Sequence, residues 1–324
     1  MSAPRPAADP QLARAVATLR DGGVVAFATE TVYGLGADAR NAEAVGRVFD
    51  LKGRPRNHPV IVHLHDAAQM EDWAAPVPPV ARALAQAFWP GPLTLVLPRA
   101  AGVSDVVTGG QDSVALRVPS HPVARALLAA FGTGIVAPSA NRYGHVSPTS
   151  AAHVRAEFGD DLLVLDGGHC DVGLESTIVA CLNGRVQLLR PGAITLAQLR
   201  TVAGEVDAVA AADAPRVPGS TPQHYAPRTP LALVQGNALA QVARGLLAQG
   251  ERVGVLARQA APDGLAVTAW IAAPTSAVAF GHDLYANLRQ LDASGCTQLL
   301  AEAAPEGEAW DAVRDRLGRA AAAA

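Results

Sequence analysis

The sequence predicts an α/β protein in which a twisted, mixed-sheet domain is followed by a smaller, Rossmann-like α/β domain. Short apolar strands outnumber helices up to residue 204, and several neighbouring strands are spaced like hairpins, which favours a mixed sheet. Residues 205–229 change to an irregular, proline-dense composition that is typical of a linker. Strand and helix then alternate over residues 230–319, as they do in small three-layer α/β units.

The predicted first domain spans residues 12–204 and begins with an amphipathic helix. Apolar side chains recur at the helical period over residues 9–20, and Gly22 and Gly23 end that helix before the first strand. Further helices are expected at residues 41–49, 79–88, 121–131, 150–158 and 195–201. Apolar runs of strand length occur at residues 24–27, 60–64, 93–97, 113–118, 134–137, 162–166, 178–181 and 184–189.

The predicted second domain covers residues 230–319 and follows the linker. Strands are expected at 231–234, 252–256 and 265–270, and helices at 238–249, 276–293 and 310–319. No G-x-G-x-x-G turn follows the first of these strands, so no dinucleotide site is predicted. The linker carries His224, Tyr225 and Arg228, which are unusual in a passive spacer.

The chain ends, charge and cysteine content narrow the class of protein. Residues 1–11 lack the apolar stretch of a signal peptide and are expected to form a flexible arm, and residues 320–324 a disordered tail. A net charge of −3 gives no electrostatic footprint for stable nucleic-acid binding. Three cysteines without CxxC spacing indicate neither a disulfide framework nor zinc, and fit a reducing cytoplasm. The sequence contains no run of about 18 apolar residues, so no membrane-spanning helix is predicted.

Two long polar loops each follow an apolar strand, at residues 29–36 and 138–149. Ligands in open α/β sheets bind at strand ends, so the repeated pattern favours a shared pocket. Each side chain alone is equally typical of a turn or a helix cap. The hydroxyl and amide side chains concerned are Thr29, Thr31, Ser139, Asn141 and Ser147.

A compact cationic loop carries Lys52, Arg54 and Arg56, and Gly53 and Pro55 restrict its backbone. A solvated, charged loop is the ordinary interpretation of such a run. A rigid loop with cations also suits a polyphosphate, although no Walker A sequence is present. Lys52 is the only lysine in the chain. It is either a compact point charge selected for a phosphate or a chance survivor of an arginine bias.

Two further polar residues lie on predicted strands. Arg117 ends its strand, and a buried arginine there requires an anionic partner, either a ligand carboxylate or an internal aspartate or glutamate. His63 lies on an apolar strand, where a lone histidine is most often a satisfied core residue. Glu175-Ser176-Thr177 has no nucleophile elbow, so a hydrolase triad is not predicted.

Seven short motifs, taken in order, resemble the YrdC-type domain of threonylcarbamoyl-AMP synthases. The resemblance covers about residues 12–203, and the linker with the domain after it resembles the longer, two-domain branch of that family. The motifs are Thr29-Glu30-Thr31-Val32-Tyr33-Gly34-Leu35, Lys52-Gly53-Arg54-Pro55, Pro59-Val60-Ile61-Val62-His63, Trp89-Pro90-Gly91-Pro92-Leu93-Thr94, Arg117-Val118-Pro119, Pro138-Ser139-Ala140-Asn141 and Glu175-Ser176-Thr177-Ile178.

The resemblance implies a fold, a reaction and its partners. The family's fold is a YrdC-like twisted mixed sheet with a cationic concave face. Its members convert L-threonine, bicarbonate and ATP to threonylcarbamoyl-AMP, pyrophosphate and water. The product feeds the downstream threonylcarbamoyl transferase machinery that modifies a tRNA adenosine beside the anticodon. Mg²⁺ is expected to arrive with the nucleotide, without a protein cage, and no membrane or stable nucleic-acid partner is expected.

The resemblance also implies residue roles. Lys52 and Arg54 would act as the catalytic cations on the phosphates. The expected threonine-binding residues are Thr31, His63, Arg117 and Ser176. The expected nucleotide-binding residues are Lys52, Arg54, His58, Ser113, Ser139, Asn141, Ser147, Arg190 and Tyr225.

One departure from the family pattern lies in the linker, and two other functions remain open. The family commonly has basic residues just before its His-Tyr pair, whereas Ser220-Thr221-Pro222-Gln223 stands there in this chain. The first alternative function is a non-catalytic RNA-binding module that uses the basic face. The second is a carbamoyl-transfer enzyme with another acceptor.

Overall fold

The computed structural model describes residues 9–208, 214–219 and 224–322 of the chain. The linker segment 220–223, most of the N-terminal arm and the last two alanines lie outside these residues. The first domain contains β1 Val25–Phe27, β2 Gly34–Asp38, β3 Ile61–His63, β4 Leu93–Pro98, β5 Ser113–Arg117, β6 Ile135–Val136, β7 Val164–Leu165, β8 Thr177–Leu182 and β9 Arg185–Arg190. Its helices are α1 Pro10–Arg20, α2 Ala42–Lys52, α3 Pro79–Phe88, α4 Asp105–Thr108, α5 Pro122–Phe131, α6 Ala151–Phe158 and α7 Leu196–Ala203, with a 3₁₀ helix at Ala67–Asp72.

These strands form one nine-stranded sheet with the order β7-β1-β2-β6-β3-β5-β4-β8-β9. Parallel and antiparallel pairs are mixed: β3 runs parallel to β5, whereas β6 runs antiparallel to β3. The parallel register places His63 opposite Arg117 at the ends of two neighbouring strands. The predicted twisted mixed sheet is therefore confirmed, and two candidate site residues meet at its centre.

The second domain is a four-stranded, wholly parallel sheet with the order β10-β13-β11-β12. Parallel strands need crossover connections, which α8 and α9 supply. The predicted small α/β domain is confirmed. Its elements are β10 Leu231–Val234, α8 Leu239–Ala248, β11 Val253–Ala257, β12 Ala269–Ala272, α9 Ala277–Asp292, β13 Gln298–Glu302 and α10 Asp311–Ala321, with a 3₁₀ helix at Glu308–Trp310.

Local sequence explains how α2 delivers the cationic loop. The Asn41 side chain caps the helix by accepting hydrogen bonds from the amides of Glu43 and Ala44. Gly53 ends the helix in the left-handed conformation, with a φ of 65°. Lys52 is consequently the last helical residue, with its side chain held at a fixed point beneath the loop that follows β6.

Several expected boundaries were wrong. The stretch expected to be a turn at residues 29–36 contains the start of β2, and β13 was not predicted. The last strand expected in the second domain, at 265–270, lies at Ala269–Ala272 instead. Helix α10 continues to Ala321, and Ala320 is buried, so the expected disordered tail begins too early. Likewise α1 begins at Pro10, inside the expected arm.

The two domains share a continuous apolar contact. Val32, Val146 and Leu174 of the first domain belong to the same buried cluster as Phe280 and Leu284 of α9. Because burial of apolar surface favours association, this cluster fixes the second domain against the loops that carry the site. Within the described residues, no helix has both the length and the apolar character needed to cross a bilayer.

The backbone at Gly173 tests this domain contact. Its φ is +76°, and a Cβ there would lie 2.3 Å from the carbonyl oxygen of His282 in α9. We expect Gly173→Ala to lower the free energy of unfolding by roughly 1–3 kcal/mol more than Gly168→Ala. Gly168 is the matched control, since its φ is +82° and a Cβ there would meet nothing within 4 Å. Equal losses in urea denaturation would contradict the contact.

Candidate active site

A cavity of about 540 Å³, counting the space open to solvent at its mouth, lies where the central strands of the first domain end. The part of it that can hold water molecules is only about 40 Å³, well below the roughly 300–1,000 Å³ of open small-molecule sites, so the linker and side chains nearly fill it in this structure. Part of its wall comes from the linker, through Pro218, Gly219, His224 and Tyr225. Eight predicted site residues line it together: Thr31, Arg54, His63, Arg117, Ser139, Ser176, Arg190 and Tyr225.

Arg117 lies at the end of β5 with its guanidinium buried in the cavity wall. Its Nη1 donates a hydrogen bond to the Thr31 hydroxyl at 2.9 Å, and its Nε donates to the carbonyl oxygen of Gly91 at 3.3 Å. Its Nη2 lies 2.7 Å from Glu30 Oε1, but without hydrogen-bond geometry. The internal glutamate left open as an alternative partner is therefore present, and it forms a buried ion pair with Nη2.

His63 is buried at the end of β3, beside Arg117. Burial and the charge of Arg117 lower the pKa of His63 to about 3, so the imidazole is neutral at physiological pH. Its Nδ1 makes no hydrogen bond to any described residue. A buried polar atom without a partner is uncommon in proteins, and a bound ligand is one of the groups that can supply the partner.

Ser176 begins the opposite wall, just before β8. Its hydroxyl lies 2.7 Å from the hydroxyl of Thr94, and its carbonyl oxygen accepts a hydrogen bond from Arg190 Nη2 at 2.8 Å. The Nη1 of Arg190 donates to the carbonyl oxygen of Pro218 in the linker, also at 2.8 Å. Arg190 thus ties the serine wall to the linker, while its guanidinium stays buried.

Glu175 was quoted in a motif but given no role, and it lies at the centre of a buried hydrogen-bond network. Its Oε1 accepts from the Ser147 hydroxyl at 2.6 Å, and its Oε2 accepts from the Tyr285 hydroxyl and from Arg316 Nε, each at 2.8 Å. Burial alone would raise the pKa of Glu175, but the charges of Arg316 and Arg190 and these hydrogen bonds hold it at about 2.

The cationic loop is only partly exposed to the cavity. Arg54 lines it, and burial lowers the pKa of its guanidinium to about 10, so it remains charged at neutral pH. Its Nη2 donates to the carbonyl oxygen of Pro59 at 2.9 Å, and its Nε has no partner among the described residues. The charge also lies 5.8 Å from the ring centre of Tyr143.

Lys52 does not line the cavity. Its ammonium is buried and donates hydrogen bonds to the carbonyl oxygens of Ser139 at 2.6 Å and Asn141 at 2.5 Å. Burial and the nearby Arg54 lower the pKa of Lys52 well below its usual value. The lysine therefore supports, from behind, the loop that presents Ser139 to the cavity. Asn141 is likewise buried, with its Oδ1 lacking a hydrogen-bond partner among the described residues.

Three other predicted residues lie outside the cavity lining. Ser147 contacts the site indirectly, through its hydrogen bond to Glu175. His58 pairs with the Tyr143 hydroxyl at 3.2 Å, and its pKa is lowered by partial burial and by Arg54 and Arg216. Ser113 begins β5, four positions before Arg117. That spacing corresponds to roughly 13 Å along a strand, so Ser113 lies away from the end of the strand that faces the cavity.

The linker pair lies over the cavity. Tyr225 has a φ of 64°, which is uncommon outside glycine, and it is buried. Its ring stacks on Tyr285 with a centroid distance of 5.8 Å. Burial lowers the pKa of His224 to about 3, and its Nδ1 has no partner among the described residues. The pair lines the cavity as a wall that belongs to neither sheet.

The charge of the cavity lining is predominantly positive. Three buried arginines, Arg54, Arg117 and Arg190, lie in the lining. Glu30 pairs with Arg117, and the lining carboxylate of Glu175 pairs with Arg316, which leaves Arg54 and Arg190 as the surplus cations. A buried site with surplus fixed cations stabilises anions. The geometry can therefore bind carboxylates and phosphates and stabilise negative charge that develops between them.

Both halves of the chain match family models. Residues 17–192 match the model described as "Telomere recombination", and residues 194–322 match the model described as "Threonylcarbamoyl-AMP synthase, C-terminal domain". The threonylcarbamoyl-AMP synthase of Bacillus subtilis is 40% identical over 326 aligned positions, which cover 97% of this chain and 93% of the relative.

This chain belongs to the threonylcarbamoyl-AMP synthase family. A second relative, the threonylcarbamoyl-AMP synthase of Pyrococcus abyssi, is 38% identical and covers 93% of this chain and 91% of its own length. A crystal structure of P. abyssi Sua5 complexed with L-threonine matches with a TM-score of 0.90 at 36% identity, over 96% of this chain and 94% of that one. The expected two-domain branch is thus confirmed, and the chain is an enzyme of the threonylcarbamoyl-AMP synthase family.

Sequence reasoning gave no role to Glu30, Glu175, Tyr285 or Arg316. The pairs Glu175–Tyr285 and Glu175–Arg316 span 110 and 141 residues, so no local pattern connects them. Arg316 nevertheless leaves a signal, because it falls on the apolar face of α10 with Val313, Leu317 and Ala320. An arginine at a core phase of a helix predicts a buried anionic partner.

The depressed pKa of Glu175 predicts a contribution to acid stability. A carboxyl whose pKa falls from 4.5 to about 2 on folding stabilises the native state fully above pH 4.5 and loses that contribution as pH falls toward 2. The contribution is on the order of 3 kcal/mol. We therefore expect Glu175→Gln to show a shallower fall of unfolding free energy between pH 5 and pH 2 than the parent chain.

The control for this measurement is Glu71→Gln, which changes an exposed carboxyl that pairs with Arg82 on the surface. Exposed pairs contribute little, so this variant should keep the parental pH dependence. Parallel curves for the parent and Glu175→Gln would contradict the proposed charge balance around Glu175.

Proposed function

We propose that the chain synthesises threonylcarbamoyl-AMP from L-threonine, bicarbonate and ATP, releasing pyrophosphate and water. The observation that carries this proposal is a set of buried polar atoms without partners among the described residues, all on cavity-lining side chains. The atoms are Arg54 Nε, His63 Nδ1 and His224 Nδ1. Burying these atoms without a hydrogen-bond partner lowers the stability of the protein, and a ligand in the cavity would supply the partners.

The threonine end of the cavity is assigned to Thr31, His63, Arg117 and Ser176. The guanidinium of Arg117, which Glu30 and Thr31 hold in place, would offer a charge-assisted hydrogen bond to an amino-acid carboxylate. The neutral imidazole of His63 and the hydroxyls of Thr31 and Ser176 suit the remaining polar groups of threonine. The L-threonine complex of P. abyssi Sua5 supports the choice of amino acid.

The phosphate end is assigned to Arg54, Ser139 and Arg190, with Lys52 and Asn141 supporting the loop that holds Ser139. His58, Ser113 and Ser147 remain proposed nucleotide contacts that depend on the resemblance alone. Mg²⁺ would enter as MgATP, held by phosphates and water. Among the described residues, no group of three or more His, Cys, Asp or Glu side chains is arranged to hold a metal ion.

The reaction needs positioning and charge stabilisation more than a covalent nucleophile. The threonine amine and bicarbonate form a carbamate and release water. A carbamate oxygen then forms a bond to the α-phosphorus, and the bond from that phosphorus to the bridging oxygen of the β-phosphate breaks. The leaving pyrophosphate takes the electron pair, and the guanidinium of Arg54 would stabilise its added charge.

The linker would cover the nucleotide through Tyr225, aided by His224. One solved relative, at 35% identity, is a P. abyssi Sua5 variant in which a histidine and the tyrosine after it are replaced by alanine. His224-Tyr225 is the one His-Tyr pair in this chain. A lid at this place would exclude water from the mixed anhydride. The product would pass to the tRNA-modifying transferase machinery, and a cytoplasmic enzyme is expected because tRNA and ATP are there.

The direct test is pyrophosphate release with purified chain. We expect release that requires L-threonine, bicarbonate and ATP together, with threonylcarbamoyl-AMP identified by mass spectrometry. Omission of threonine should return the signal to background, and L-serine should replace it poorly. Equal rates with serine would favour another acceptor, and salt-dependent RNA binding without turnover would favour a binding module.

Lys52 tests the phosphate end. We expect Lys52→Met to lower kcat roughly a hundredfold, because a loop displaced by about 1 Å misplaces a reacting group. It should also lower the unfolding free energy by about 1–3 kcal/mol, since two buried carbonyl oxygens lose their donor. The matched control is Arg56→Met in the same loop, whose side chain is 62% exposed. A folded Lys52→Met variant with the parental kcat would show that Lys52 does not support the phosphate end of the site.

A further inference from the structure

The second domain reaches the reaction cavity through two buried side chains. Arg316 of α10 is wholly buried, and its Nε donates to Glu175 Oε2 at 2.8 Å. Its guanidinium carbon also lies 5.2 Å from the ring centre of Tyr225 in the linker. Asp315, 2.6 Å from Arg316 Nη1, orients the guanidinium from its other side. One cation thus touches both the wall and the cover of the cavity.

Tyr285 of α9 repeats this double contact. Its hydroxyl donates to the same Oε2 of Glu175 at 2.8 Å. Its ring stacks on that of Tyr225 with an interplanar angle of 29°. Tyr285 is itself fully buried, so its position is set by the packing of the second domain.

Glu175 transmits these contacts along the chain to the cavity. The next residue, Ser176, holds Arg190 through its carbonyl oxygen, and Arg190 holds the carbonyl oxygen of Pro218. Arg316 Nη2 also donates to the Glu175 carbonyl oxygen at 3.5 Å, so a shift of the Glu175 backbone would move Ser176 and, through Arg190, the first segment of the linker. Tyr225, at the other end of the same linker, would lose its contacts with Arg316 and Tyr285 at the same time.

The choice of an arginine at this place argues for more than stability. Arg316 lies on an apolar helix face, where a hydrophobic side chain would fit without desolvating a charge. Replacing buried ion pairs by apolar residues is often neutral or stabilising. A pair retained here, next to Ser176 and beneath Tyr225, fixes an orientation that an apolar contact would leave free.

We propose that Arg316 and Tyr285 are positioning residues of the synthase, through which the second domain sets the Glu175–Ser176 wall and holds Tyr225 closed over the cavity. This inference rests on the proposed function. Its consequence is a site completed by both domains. Loosening the pair should slow adenylate formation. It should also admit water to the mixed anhydride, which would give AMP and the threonine carbamate.

The test compares Arg316→Lys and Tyr285→Phe with the parent chain. Arg316→Lys keeps the charge but loses the planar fork, and Tyr285→Phe removes one hydrogen bond while keeping the ring. We expect each to lower kcat about tenfold or more. We also expect a larger share of the pyrophosphate released to be accompanied by AMP and a smaller share by threonylcarbamoyl-AMP. Thermal unfolding is measured on the same samples.

The matched control is Arg314→Lys on the same helix. Arg314 contacts Asp311 and the carbonyl oxygens of Pro305 and Gly307, all within the second domain. It should keep the parental kcat and the parental ratio of threonylcarbamoyl-AMP to AMP. A loss of stability that Arg314→Lys and Arg316→Lys share would then be attributed to the second domain alone and not to the cavity.

The outcomes separate positioning from a purely structural role. If Arg316→Lys fails to fold, Tyr285→Phe carries the test, because it deletes only a hydroxyl. Folded variants with parental kcat, KM and product ratio would overturn the inference, even if their melting temperatures fall. A parent chain without threonine-dependent pyrophosphate release would instead overturn the proposed function, so the two failures are distinguishable.

Discussion

The structure of the site depends on how one buried carboxylate, that of Glu175, is neutralised. An isolated charge in a protein interior is very unfavourable, so its hydrogen-bonding capacity must be met by fixed donors. Ser147 comes from a loop of the first domain, whereas Tyr285 and Arg316 come from two helices of the second. Meeting that requirement brings three distant parts of the chain to one point beside Ser176.

The buried charges on the other side of the cavity are positive. Arg54, Arg117 and Arg190 are buried there, and the hydrogen bonds that they donate go to backbone carbonyl oxygens or to a hydroxyl. Such contacts orient a guanidinium without neutralising it. The cavity consequently keeps positive charge at fixed positions and low dielectric, which is the condition under which charge stabilisation is strongest. Glu30 neutralises this charge beside Arg117, where we proposed that the smaller anion, the amino-acid carboxylate, binds.

Much of the fold followed from the sequence, and the exceptions have physical causes. Strand β2 was taken for a turn because Gly34 and Gly36 weaken strand propensity. At Gly36 a Cβ would lie 2.7 Å from the ring of Phe27, so glycine is required for close packing within the sheet. Strand β13 was missed because Leu299, Leu300 and Ala301 form a short apolar run that suits a helix equally well.

For the site, the position of residues at strand ends was predictable and their partners were not. Polar residues that follow apolar strands do gather at one cavity, as Thr31, Arg117, Ser139 and Ser176 show. Lys52 could be singled out by its rarity, but its burial beneath Ser139 and Asn141 depends on tertiary packing. The contacts of Glu175 with the second domain join residues more than a hundred positions apart, and no periodicity encodes such pairs.

The central claim is that the unpaired donors of the cavity are completed by L-threonine and ATP. A crystal structure of the chain with L-threonine and a non-hydrolysable ATP analogue tests it most directly. We predict the threonine carboxylate on the guanidinium of Arg117, the triphosphate beside Arg54, and Glu175 still bound to Arg316. A threonine carboxylate bound away from Arg117, or a triphosphate outside this cavity, would contradict it.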